Sequence, residues 1–171
     1  MKTQDNKNFT AILFLPLSLV FAIAIIAPEM ISSLSYKKPI SLIPGIASLA
    51  KATQWELEGR AIWTSFWLSM PILLPLAIYI GMKQPAPIIS RFKSLYTFVV
   101  ILTCTAGFGW LFWNGVEPDP SGGRIWEIYQ GSYVGFIATT YIVVAGFYIF
   151  VWTTAKALLM TLGLANFEKD I

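Results

Sequence analysis

The sequence has no histidine and a single cysteine, and only 12% of its 171 residues are charged. Each scarcity removes a class of function. Without histidine, the usual zinc and haem ligation goes, and so does the side chain best suited to proton transfer near neutral pH. Cys104 has no second thiol to pair with inside one copy. An ordinary soluble domain is about 25% charged and roughly 45–50% apolar. This chain is 56% hydrophobic, which leaves too little ionic surface to cover a water-soluble globule. Twelve Lys and Arg against nine Asp and Glu give a formal net charge of +3. No basic stripe is present to track phosphates, which argues against nucleic-acid partners. There is also no glycine-rich nucleotide loop with its lysine, no Ser-His-Asp set and no metal cluster. A non-enzymatic protein with no cofactor and no metal is the expectation.

What the chain does have is apolar blocks of membrane-crossing length. They run over about 11–31, 61–82, 95–113 and 132–154, each close to 30 Å long at about 1.5 Å per residue. The first block is too long for a signal-peptide core and reads as a retained helix, with Pro28 ending or kinking its far end. Pro71 and Pro75 predict a bend in the second. The fourth continues as helix past Lys156 toward Gly163. The predicted fold is all-α: one polytopic membrane domain over 1–171, a four-helix transmembrane bundle with a short interfacial helix, surrounded by membrane lipid.

No Asp, Glu, Lys or Arg falls within 12–27, 62–82, 95–113 or 132–155. Proton relays, ion-coupled transport and voltage sensing need ionisable groups at depth, so all three are disfavoured. Helix contacts are expected instead from small residues: Ser65 with Ser69, Gly131 with Gly135, and Gly107 and Gly109. Thr103 and Thr105 are placed opposite Thr139 and Thr140 for interhelical hydrogen bonds, or bond back to their own helices.

With both termini cytoplasmic, the inner segments carry seven basic residues and the outer ones five, the sense of the positive-inside rule. Six of the seven tryptophans, Trp55, Trp63, Trp67, Trp110, Trp113 and Trp126, then lie at or beyond the outer ends of the helices. They anchor at the headgroup level, or they form a docking surface for a partner. In the outer segment 32–60, Leu42, Ile46, Leu49, Thr53 and Leu57 recur at helical spacing and predict a short helix on the membrane surface. The second outer segment, 114–131, is rich in turn formers and carries Glu117, Asp119 and Arg124. Glu29 is expected to pair with Arg60, Lys37 or Lys38.

The layout resembles the four-helix inner-membrane immunity proteins of the colicin A type. The features that carry the resemblance are the long first outer loop from Ser32 to Arg60, the short basic inner loop from Lys83 to Lys93, the second outer loop with Gly123-Arg124, and the ending Thr154-Ala155-Lys156-Ala157-Leu158-Leu159. The resemblance implies a multi-pass protein of the bacterial inner membrane that recognises the apolar domain of a pore-forming bacteriocin before its channel opens. The outer tryptophans and the paired prolines depart from that layout. On this reading the partner-binding residues are Trp63, Trp67, Trp110, Trp113 and Trp126 for apolar contact, with Glu117, Asp119 and Arg124 selecting the partner. The alternative is an accessory or assembly subunit of a larger membrane complex, whose partner is another integral membrane protein.

Overall fold

The computed structural model describes residues 2–83, 91–115 and 131–164, and among them every regular element is helical. We label them α1 (Lys2–Ile26), α2 (Pro28–Leu34), a 3₁₀ turn (Ile40–Leu42), α3 (Pro44–Lys51), α4 (Glu56–Lys83), α5 (Arg91–Asn114) and α6 (Tyr133–Leu162). Three helices are long and apolar enough to cross a membrane, Glu56–Lys83, Phe92–Asn114 and Tyr133–Leu162. A fourth crossing exists if the bent pair Phe14–Ile26 and Pro28–Leu34 is one span. The architecture is an all-α polytopic membrane bundle.

The first span is not the single helix expected over 11–31. Pro28 has no amide hydrogen and forces the preceding residue out of helical geometry, so Ala27 sits at φ −127° and ψ 56°. The chain turns through 103° there. Pro71 and Pro75 behave differently: α4 runs unbroken through both, and both side chains are exposed, where the rings meet no neighbouring helix. At the start of α6, Ser132 accepts a hydrogen bond from the Gly135 amide at 2.9 Å. At its end Gly163 adopts φ 72°, so that its amide and that of Leu164 bond back to Met160 and Leu159.

Pairwise contacts set the topology. Thr105 meets Thr154 and Phe112 meets Phe147, so α5 and α6 are antiparallel. Trp55 stacks on Phe136 and Phe66 touches Phe147, so α4 and α6 run the same way. Ser18 and Phe21 meet Tyr141 within α6, while Ile26 at the end of α1 lies with Leu57 at the start of α4, which places α1 antiparallel to α4 and α6. The α1–α2 elbow, α3, the starts of α4 and α6 and the end of α5 therefore share one end of the bundle, called here the elbow end.

Helix α4 is central, carrying α1, α2, α3 and α6, while α5 packs chiefly on α6 and α3. Ser32 of α2 and Ser35, which caps its end, are buried, and each satisfies its hydroxyl on a carbonyl three residues earlier. Small, self-satisfied side chains let α2 lie close on α4. At the far end Gly81 of α4 admits the Trp152 carbonyl of α6; a Cβ there would overlap that oxygen.

The core is densest at Phe66, which is fully buried. Its ring lies 5.2 Å from Phe112 of α5 and 5.9 Å from Phe147 of α6, which are themselves 5.4 Å apart. Edge-to-face pairs of this kind contribute about 0.5–1.5 kcal/mol each beyond their burial. Phe66→Ala is expected to lower stability by about 3–5 kcal/mol, whereas Phe92→Ala, at a position 80% exposed, should change it by less than about 0.5 kcal/mol. Reversible unfolding in mixed detergent micelles measures both.

Candidate functional site

The tryptophans singled out in the sequence separate into a floor and a surface. Trp63 is only 3% exposed, its ring 5.3 Å from Phe112 and 5.9 Å from Phe66. It belongs to the core and offers no surface to a partner. The reason is rotational: Trp63 and Phe66 share the side of α4 that receives α3 and α5. Trp67 lies one turn further along, half-buried, and meets the Trp113 ring edge-on at 5.6 Å and 84°. Trp113 is 46% exposed and Trp110 65%. Trp67, Trp110 and Trp113 therefore form the accessible aromatic surface, with Trp63, Phe66 and Phe112 beneath. Glu117, Asp119, Arg124 and Trp126 lie outside the described residues.

Phe112, which the sequence reading did not single out, is what ties the surface to the core. A helix turns about 100° per residue, so Trp110 and Trp113 point outward while Phe112 between them points in and is 4% exposed. Gly45 and Gly115 were also missed. Helix α3 inserts between α4 and α5, with Gly45 against the Phe112 and Trp113 carbonyls; a Cβ at Gly45 would overlap them. Gly115, at φ 80°, lies against Ser48 of α3. The helix predicted to lie on the membrane surface thus has Ile46, Leu49 and Ala50 buried against protein. Leu42 and Leu57 of the same spacing belong to other elements and are exposed.

The small-residue positions also divide. Ser65 and Ser69 are buried on α4, and Ser69 donates to the Phe66 carbonyl at 2.8 Å. The Gly135 amide serves the Ser132 cap. A Cβ on Gly107 or Gly131 would meet nothing within 4 Å, and one on Gly109 would meet only the Phe147 ring at 3.9 Å. Among the described residues the close backbone approaches fall at Gly45, Gly59, Gly81 and Gly115. Thr105 is 3.1 Å from Thr154 rather than paired with Thr139 or Thr140. The antiparallel register of α5 and α6 carries the middle of α5 past the residues near 150, and Thr140 instead donates to Phe136 within its own helix.

Among the described residues the elbow end carries Glu29, Lys37, Lys38, Lys51, Glu56, Glu58 and Arg60. Arg60 donates to Glu56 at 2.9 Å and its guanidinium lies 5.1 Å from the centre of the Tyr36 ring, so it does not pair with Glu29 as expected. No group of three or more His, Cys, Asp or Glu gathers among the described residues. The site offers apolar and aromatic contact with few charges.

No known protein family, curated protein or solved structure matches this chain. What the fold and the site define is a class: a polytopic α-helical membrane protein with an aromatic surface at one end.

In single-tryptophan variants reconstituted with brominated-chain lipids, Trp110 fluorescence should be quenched and Trp63 fluorescence should not. Equal quenching of both would place Trp63 at the surface.

Proposed function

We propose that this chain is a non-enzymatic immunity protein of the bacterial inner membrane that blocks a pore-forming bacteriocin. The observation that supports the reading best is the rigid aromatic surface of Trp67, Trp110 and Trp113. With both termini cytoplasmic, as the basic residues favour, this surface faces outward, the side from which such a toxin enters. Tryptophan supplies broad contact area at small entropic cost, and Phe66 below braces Trp67, which in turn meets Trp113, before any partner arrives. The toxin's apolar helices would pack on these rings and be held short of an open channel. Glu117, Asp119 and Arg124, in the adjoining segment, would select the cognate toxin by charge.

A second reading, an accessory subunit of a larger membrane complex, is favoured by α5. Apart from Ser94 and Phe112 none of its described side chains is buried, and Phe92, Tyr96 and Val99 are at least half exposed. That flank is open to a lateral neighbour. Co-purification of stoichiometric membrane proteins from cells never exposed to toxin would favour this reading.

The test is protection of sensitive cells against a panel of pore-forming bacteriocins. Expression of the chain should protect against a cognate member, and combined Trp67→Ala, Trp110→Ala and Trp113→Ala should reduce protection by about tenfold or more at equal membrane abundance. Full protection by that variant would remove the aromatic surface from the mechanism. Failure against every toxin in the panel would count against the immunity reading.

A further inference from the structure

Helices α1 and α6 leave a groove between them of about 520 Å³, lined by Ser18, Phe21, Ile25, Tyr133, Ile137 and Tyr141, with Ala22, Val134 and Ala138 completing its walls. The two helices touch through Phe21 and Ser18 against Tyr141, with ring centres 5.1 Å apart and hydroxyls 2.9 Å apart. From that contact to Ile25 and Tyr133 the groove extends about 12 Å along the bundle at about 1.5 Å per residue. We propose that this groove binds one molecule of phosphatidylethanolamine, an acyl chain lying along it and the primary ammonium at Glu58.

The chemistry of the two ends fixes the orientation. At the deep end, the single Ser18 hydroxyl proton goes to the Phe14 carbonyl at 2.8 Å, so the Tyr141 hydroxyl donates to Ser18. Both donors are spent, and nothing there offers a hydrogen bond to a headgroup. The remaining walls are hydrocarbon, and an empty slot between two helices would forfeit the dispersion contacts that hold membrane bundles together. Two carboxylates lie toward the mouth. Glu58 is half-buried and within electrostatic reach of Tyr133. Among the described residues no basic side chain pairs with it, because Arg60 is committed to Glu56. Glu29 lies in the adjoining notch at the elbow, with Ile26 and Leu57. An anionic phosphate headgroup alone is repelled there, whereas an ammonium three bonds beyond its phosphate is drawn in.

The experiment uses the full chain, reconstituted in membranes of equal phosphatidylethanolamine and phosphatidylglycerol, extracted in mild detergent and weighed intact by mass spectrometry. The wild type should retain one phosphatidylethanolamine per chain in preference to phosphatidylglycerol. Filling the groove with Ala22→Phe and Ala138→Phe should lower retention by about tenfold, while Ile142→Phe, which places the same ring at an exposed position outside the groove, should leave it unchanged. Glu58→Gln leaves the walls intact and should keep a bound phospholipid while abolishing the headgroup preference. The proposal is overturned if retained lipid matches the membrane composition, if the filled variant holds as much as the wild type, or if the groove proves to join two copies, read as a dimer that the filling converts to monomer.

Discussion

Inside a bilayer a helix gains nothing by hiding apolar surface, because the lipid is as apolar as its neighbour. What remains is fit. In this chain the fit converges on Phe66, whose ring touches Phe112, Phe147 and Tyr148 as well as Trp63 and Trp67 of its own helix. One side chain therefore fixes the spacing of α4, α5 and α6, and every feature of the elbow end inherits its position from that spacing. Trp113 stands where it does because Phe112, the residue before it, is locked against Phe66. Elsewhere Thr97, Thr103, Thr140, Thr153 and Thr161 each bond a carbonyl four residues back, which satisfies those hydroxyls without a neighbouring helix.

Helix α3 solves a different problem. The last carbonyls of a helix have no amide partners and carry a partial negative charge. At the end of α5, the Leu111 carbonyl is taken by the Gly115 amide at 2.7 Å, and the Phe112 and Trp113 carbonyls face Gly45, in the first turn of α3. The positive end of one helix thus covers the negative end of another, with glycine permitting the distance. The same insertion packs α3 against both α4 and α5, which meet each other through rings such as Trp63 and Phe112, 5.3 Å apart.

Much of the bundle was legible because charge exclusion from a membrane is absolute enough to mark each crossing. The elbow was legible too, since Pro28 acts locally on Ala27. The helical spacing over Ile46 and Leu49 announced α3 but not its partner, and the same pattern ran on into Leu42 and Leu57, which belong elsewhere. Trp63 was misread because an interfacial tryptophan and a core tryptophan have the same signature in a sequence; only the rotation of α4 against α5 distinguishes them. Gly107 and Gly45 are likewise indistinguishable by type. Whether a glycine is approached depends on the register of helices far apart in the chain, as does the meeting of Thr105 with Thr154.

The cover that α3 provides has a consequence for order in time. A chain is synthesised from its N-terminus, so residues 44–51 exist before the helix end they cover, with the whole of α4 between them. Until α5 has crossed the membrane, Gly45 has nothing to close upon and the buried face of Ile46 and Leu49 has only one wall. The wedge is therefore a late closure made by an early segment, and a chain stopped short of Asn114 would carry an α3 seated on α4 alone.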